Sequence, residues 1–176
     1  MSLPARNRRE RRAGPVRVAA AALVLRALSG CGGDPACGPE HAVVAHAIDG
    51  DTVELSSGEK IRYILADAPE STSHVECFGP EAAAFNRALV EGRQVELRYD
   101  RRCADRYGRL LAYLVVDGHE VNRLLVERGY ACTLHIPPDG DDRAEEFRAL
   151  EAEARKAARG LWGSCANALP RCAHNK

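Results

Sequence analysis

The sequence predicts an α+β domain in which a small five-stranded barrel carries three helices, in the order β-β-β-α-β-β-α-α. Three observations point there. Strand-like runs rich in Val, Ile and Tyr lie on both sides of a single helical stretch. Turn sequences, Ser56-Ser57-Gly58 and Asp117-Gly118, punctuate those runs. Towards the C-terminus, apolar residues recur at spacings of three and four, which marks a helix face.

A first strand is expected over residues 41–48, which are apolar and β-rich, and a second over Thr52–Leu55. A third, over 60–66, puts Ile61, Tyr63 and Leu65 on one face and Arg62, Ile64 and Ala66 on the other. Residues 67–79 read as a loop. Pro80 suits the first position of a helix, Glu81 complements its N-terminal dipole, and Gly92 stops it. Val95, Leu97 and Tyr99 alternate in a fourth strand, and residues 109–116 make a fifth. Residues 120–128 read as a helix ended by Gly129. After an extended piece, 130–136, and a Pro137-Pro138-Asp139-Gly140 turn, the last helix is expected over 142–159, with Gly160 as its C-cap. Its stripe is Ala144, Phe147, Leu150, Ala154, Ala157 and Leu161, and Trp162 is expected to pack on it. Periodicity alone supports α+β; the number and order of elements make an OB-type barrel the natural candidate.

A chain of 176 residues suits one domain with extensions. Its zero formal charge is uneven. Residues 1–30 hold seven arginines and one glutamate, so the remainder carries 18 basic and 24 acidic residues, net −6. A nucleic-acid binder with that balance works through a local basic patch and not through its overall field. The arginine-rich segment 6–12, an apolar run of eight at 18–25 and the stretch Leu28-Ser29-Gly30-Cys31 read as an export signal over 1–30. The last four resemble a bacterial lipobox, with Cys31 the lipidated residue; ordinary cleavage without lipid is the alternative. Residues 31–40 form a Gly/Pro-rich linker, 41–163 the folded domain and 164–176 a tail. The expected location is the cell envelope, through a lipid anchor on a membrane, or the exterior.

Six further cysteines remain: Cys37, Cys77, Cys103, Cys132, Cys165 and Cys172. In an exported chain an even count suggests up to three disulfides, with the pairing open. The absence of a Cys-x-x-Cys pair and of histidines at ligand spacing argues against zinc.

The chemistry concentrates in two stretches. Residues 48–70 hold Asp51, Asp67 and Glu70 with Arg62 at the ends of strands that should pair. These hard oxygen donors favour Ca²⁺ or Mg²⁺ over softer metals. Taken alone, turn aspartates are the commoner explanation. Residues 98–109 hold Arg98, Arg101, Arg102, Arg106 and Arg109 around Tyr107. Arginine forks bind phosphate oxygens, and Tyr107 suits stacking or a phosphate hydrogen bond.

Together the stretches carry a resemblance. Ile48-Asp49-Gly50-Asp51-Thr52, Arg62 with Asp67-Ala68-Pro69-Glu70, Gly79-Pro80-Glu81-Ala82, Asp105-Arg106-Tyr107-Gly108-Arg109, Leu111-Ala112-Tyr113, Val121-Asn122 and Gly160-Leu161-Trp162 follow one another in order. Over about residues 41–163 the chain resembles the thermonuclease, or staphylococcal-nuclease-like, family. The resemblance implies an OB-type barrel and Ca²⁺-dependent hydrolysis of phosphodiester bonds in DNA and RNA, single strands preferred, leaving 3′-phosphate ends. It implies metal binding by Asp51, Asp67 and the Ala68 carbonyl, action on water by Glu70, and phosphate binding by Arg62 and Arg109. Arg106, Tyr107 and His135 are the expected further substrate contacts. Asp49 reads as turn support. The family's usual tyrosines are replaced in Thr133-Leu134-His135-Ile136-Pro137, which leaves base preference open. No protein partner is implied. The alternatives are a noncatalytic OB-type nucleic-acid-binding module and a Ca²⁺-stabilised envelope protein.

Overall fold

Strands β1 (His41–Ala47), β2 (Thr52–Leu55) and β3 (Lys60–Tyr63) form an antiparallel meander because Val44, Ala47, Val53, Ile61 and Tyr63 have the same interior to fill. In this computed structural model the described residues are 37–165, 169, 170 and 172. The expected export segment, 1–30, and Cys31 lie outside them. β4 (Gln94–Ala104) pairs antiparallel with β1, and β5 (Leu110–Val116) with β4. β3 then lies parallel to β5, Arg62 opposite Leu111, and this closes a five-stranded barrel. The chain is an α+β fold of the OB type, as expected. The two-residue β6 (His119–Glu120) folds back on β5 through Asp117 and Gly118, whose φ angles of 48° and 78° suit a tight hairpin.

Helix α1 (Gly79–Val90) has Pro80 and Glu81 in its first turn and packs on β1. α2 (Val121–Glu127) and α3 (Ala144–Lys156) pack together and add Val121, Leu125 and Phe147 to the barrel core. A short α4 (Leu161–Ser164) follows. Three disulfides join Cys37 to Cys103, Cys77 to Cys165 and Cys132 to Cys172. The last two pairs, with Leu161, Phe78, Trp162 and Leu169, form a second, smaller core.

Most element ends fall within two residues of expectation, and three differ by more. β3 stops at Tyr63, not Ala66, because Leu65 turns into the left-handed region at φ 61° and the Arg62 guanidinium donates to the carbonyls of Tyr63 and Ala66. β4 continues past Tyr99 through its arginines to Ala104, with a register break that bends it. α3 ends at Lys156, leaving Ala157 exposed, and Gly160 precedes α4 instead of capping α3. A side chain at Gly160 would strike the Gly129 carbonyl, so this glycine is required by a close backbone approach.

Candidate active site

The β1–β2 turn positions the first acid. Ile48 and Asp49 both donate backbone N–H bonds to the Thr52 carbonyl, at 2.9 and 3.3 Å. The Asp49 carboxylate accepts the Asp51 N–H at 2.9 Å, a local side-chain turn of the kind aspartates favour. Asp51 itself is buried. Its Oδ1 accepts the Thr52 hydroxyl at 3.0 Å and its Oδ2 the Ala68 N–H at 2.6 Å. Gly50 allows this approach: a Cβ there would lie 2.5 Å from that of Ala68 and 2.9 Å from that of Ala82 on α1.

Arg62 leaves β3 on the same side. Its Nη2 is 2.6 Å from Asp67 Oδ1 and 3.2 Å from Asp51 Oδ2, so one guanidinium spans both acids. Such an ion-paired guanidinium is held by charge-assisted bonds. Asp67 lies beyond the strand. Its backbone makes a reciprocal pair of hydrogen bonds with Cys132, each 2.9 Å. Ala68, Pro69 and Glu70 continue along the same wall.

Glu70 heads a loop that is closed by Glu76. The Glu70 N–H donates to the Glu76 carboxylate at 3.1 Å, and the Glu76 N–H returns to the Glu70 carbonyl at 2.8 Å. The Glu70 carboxylate accepts the Thr72 hydroxyl at 2.6 Å and the N–H groups of Thr72 and Ser71 at 2.8 and 3.0 Å. Thr72 above all holds this carboxyl below its ordinary range, so it is ionised at neutral pH.

The second guanidinium comes from the β4–β5 turn. Burial works against the Asp105 carboxylate, but the Arg109 side chain and the N–H groups of Tyr107 and Arg109 hold it below its ordinary value. Asp105 accepts from Arg109 Nε at 2.8 Å and lies 2.7 Å from Nη2, a two-pronged pair that aims Arg109. Because Arg62 is opposite Leu111, the position two residues before, Arg109, falls on the face that carries Arg62. Tyr107 is exposed; Arg106 stacks over its ring at 4.8 Å and donates to its hydroxyl at 2.6 Å.

One cleft of about 630 Å³ collects these groups. Asp51, Arg62, Asp67, Ala68 and Glu70 form one part of its lining, and Arg106, Tyr107 and Arg109 another. His135 is not brought there. It lines a separate groove, pairs with Asp141 at 2.8 Å and lies 3.4 Å from Arg148. Its neighbour Ile136 lines the cleft, and Leu134 borders both cavities.

The acids crowd. Burial first, then the Asp51 charge, push Asp49 up to about 7. Hard carboxylate oxygens in local excess of positive charge are what Ca²⁺ or Mg²⁺ takes up, so the donors fit such an ion. Among the described residues no three His, Cys, Asp or Glu side chains are grouped to hold a metal by themselves. A bound ion would therefore draw further ligands from carbonyls, water or substrate.

Two buried asparagines to which the sequence assigns no role support the site. Asn86, buried on α1, accepts the Tyr63 hydroxyl at 2.9 Å and donates to the Asp49 carbonyl at 2.8 Å. Asn122 accepts the Leu114 N–H at 3.0 Å and donates to the carbonyls of Ile64 at 2.9 Å and Ala112 at 3.1 Å, fastening the chain where it leaves β3. An asparagine within an otherwise apolar helical stretch is the available signal for both. Arg102 lines the cleft and bonds Asp139 at 2.6 Å and the Ile136 carbonyl at 3.0 Å.

Residues 60–164 match the family model described as staphylococcal nuclease homologue. Endonuclease YncB of Bacillus subtilis is 36% identical over 123 residues, covering 66% of this chain and 58% of that protein. The SPbeta prophage-derived endonuclease YokF of the same species is 32% identical, covering 66% and 42%. A thermonuclease of Staphylococcus intermedius is 32% identical over 125 residues, covering 68% of this chain and 71% of that protein. The chain spans about half the length of the two Bacillus relatives.

Proposed function

Because the chain belongs to the staphylococcal nuclease homologue family, we propose that it is a Ca²⁺-dependent nuclease. It hydrolyses phosphodiester bonds of DNA and RNA, single strands by preference, and leaves 3′-phosphate ends. The observation that carries this reading is the meeting, in one cleft, of two cation-suited acids, an ionised glutamate and two guanidiniums, one from β3 and one from the β4–β5 turn. Three relatives named endonuclease or thermonuclease support it.

Attack on a phosphodiester builds negative charge on the nonbridging oxygens. Arg109, held by Asp105, binds that phosphate and opposes the growing charge. Arg62 orders both acids and adds a second positive centre beside them. Glu70 accepts a hydrogen bond from the attacking water and draws its proton. Asp51, Asp67 and the Ala68 carbonyl would hold Ca²⁺, which supplies Lewis-acid polarisation of a phosphoryl oxygen when bound. Arg106 and Tyr107, at the exposed mouth, contact the substrate beyond the scissile bond.

The chain is exported, with a lipid on Cys31 anchoring it to a membrane. Calcium is abundant outside cells, where weak sites of about 10⁻⁴–10⁻³ M suffice. The test is cleavage of single-stranded DNA by the purified chain with Ca²⁺ or with chelator. Cleavage lost in chelator, with kcat lowered about 10²–10³-fold in Glu70→Gln, is expected. Full activity in chelator would remove the metal role, and binding without cleavage would make the chain a noncatalytic module.

A further inference from the structure

We infer that two of the three disulfides, Cys132–Cys172 and Cys77–Cys165, are positioning elements of the site, so that cation binding and turnover depend on the oxidation state of the chain. The inference rests on the nuclease reading above for its Ca²⁺ and activity measurements.

Asp67 and Glu70 lie on a segment outside any strand or helix, so barrel register does not fix them. Asp67 is tied by its two backbone bonds to Cys132. Cys132 sits in a piece of chain that is not a strand either, and it is 1% exposed and bonded to Cys172. The disulfide thus lies directly behind the backbone that presents one acid. The second acid is served in a parallel way. Glu76 hydrogen-bonds on both sides of the Glu70 residue, and Cys77, next in sequence, is bonded to Cys165 just after α4. Both cross-links meet in the small core formed around Leu161. So few apolar side chains cannot hold a segment in place as the barrel core does, and in small clusters of this kind covalent cross-links supply the order. Cys37–Cys103 differs: it joins the chain before β1 to β4.

Reduction of each pair by a dithiol is balanced. The reductant gives two electrons and two protons, the S–S bond breaks, two cysteine thiols form, and the reductant closes to its own disulfide. With both cross-links opened, the segment from Asp67 to Glu70 keeps its ties to the Arg62 and Asp51 side chains but loses the cross-linked backbone behind it, while the barrel keeps Asp51, Arg62 and Arg109. The chain is then poorly active wherever thiols are kept reduced and becomes competent after oxidation.

The experiment uses the full oxidised chain and three double variants: Cys132→Ala with Cys172→Ala, Cys77→Ala with Cys165→Ala, and Cys37→Ala with Cys103→Ala. Ca²⁺ affinity is read by calorimetry, kcat and KM on single-stranded DNA, and Tm by circular dichroism. Losing Cys132–Cys172 should raise the Ca²⁺ Kd about 10-fold or more and lower kcat. Losing Cys77–Cys165 should lower kcat about 10-fold with KM and the Ca²⁺ Kd nearly unchanged. Losing Cys37–Cys103 should lower Tm alone. If all three variants differ from wild type only in Tm, the inference is overturned. If a double variant does not fold, wild-type chain titrated with dithiothreitol decides. Loss of Ca²⁺ affinity with the far-ultraviolet spectrum kept supports the inference, and joint loss of both overturns it. An oxidised wild type that binds Ca²⁺ but cuts no DNA would instead overturn the nuclease reading.

Discussion

The two sides of the cleft are built by different physics. Asp51, Arg62 and Arg109 stand on or beside β2, β3 and β5, where strand pairing and a shared apolar interior set their places. Asp67, Ala68 and Glu70 stand on a connecting segment whose place is set by backbone bonds to Cys132, a glutamate-closed loop and two disulfides. The barrel side tolerates any change that leaves the sheet in register. The loop side depends on contacts that are few and individually decisive. Positioning by register is cheap for a strand and is unavailable to a loop, which is why the cysteines and Glu76 gather behind the latter.

The sharpest way to break this comparison is to remove chemistry from the barrel side without touching its frame. Arg109→Ala should lower kcat about 10²–10³-fold, the usual loss for one donor to a developing charge. Its Tm should stay close to wild type, because the side chain is partly exposed and its contacts, Asp105 and the exposed Tyr107 ring, are peripheral too. Single-turnover cleavage and a thermal melt measure the two. A variant that cuts at the wild-type rate would move the chemistry off the barrel.

A backbone change on the loop side should have the next largest effect. A Cβ at Gly79 would run into the Glu70 carbonyl, and the neighbouring carbonyl of Pro69 is also close. Backbone cannot swing aside as a side chain does, so Gly79→Ala must displace either α1 or the loop. A cost of about 1–3 kcal/mol is expected, as for other overpacked sites. Urea denaturation measures it. Activity should fall further than stability requires, since Glu70 moves with the loop. Unchanged kcat in a folded Gly79→Ala chain would show that the loop side is less constrained than its contacts imply.

The same contrast governs what could be read from the sequence. The barrel was legible: Thr52–Leu55 is a strand with the expected bounds, and the helix that opens on Pro80 follows from local capping chemistry. Residues set by long-range contact were not. Ile64, Leu65 and Ala66 look like more strand, but the Arg62 guanidinium on the Tyr63 and Ala66 carbonyls and the Asn122 amide on that of Ile64 turn them away. The arginines after Tyr99 give no alternating pattern, yet they continue β4, with Asp139 and Gly140 as cross-chain partners. The site acids and arginines were visible as residue types in order. That His135 faces another groove was not, because the path of an irregular segment has no periodic mark in the sequence. Nor did the cysteines show their pairing, which depends on where the C-terminal segment returns.

The smallest expected effect sharpens the comparison through pH. On the barrel side Asp49 is pushed up to about 7, first by burial and then by Asp51. The folded chain therefore holds a proton that the unfolded chain, near the ordinary 3.8, has already released. Stability from this group is present below about pH 4 and is lost as pH rises through 7. On the loop side Glu70 is held low by Thr72, so its contribution has the opposite sign and fades as pH falls. Urea denaturation of the Ca²⁺-free chain from pH 4 to 7 should show a decline, at most about 1.4 kcal/mol per pH unit, that Asp49→Asn flattens. Glu70→Gln should leave that decline in place, because it acts at lower pH and on the other wall. If Asp49→Asn leaves the slope unchanged, the crowding of carboxylates belongs to the loop side as much as to the barrel, and the two walls are coupled through Arg62.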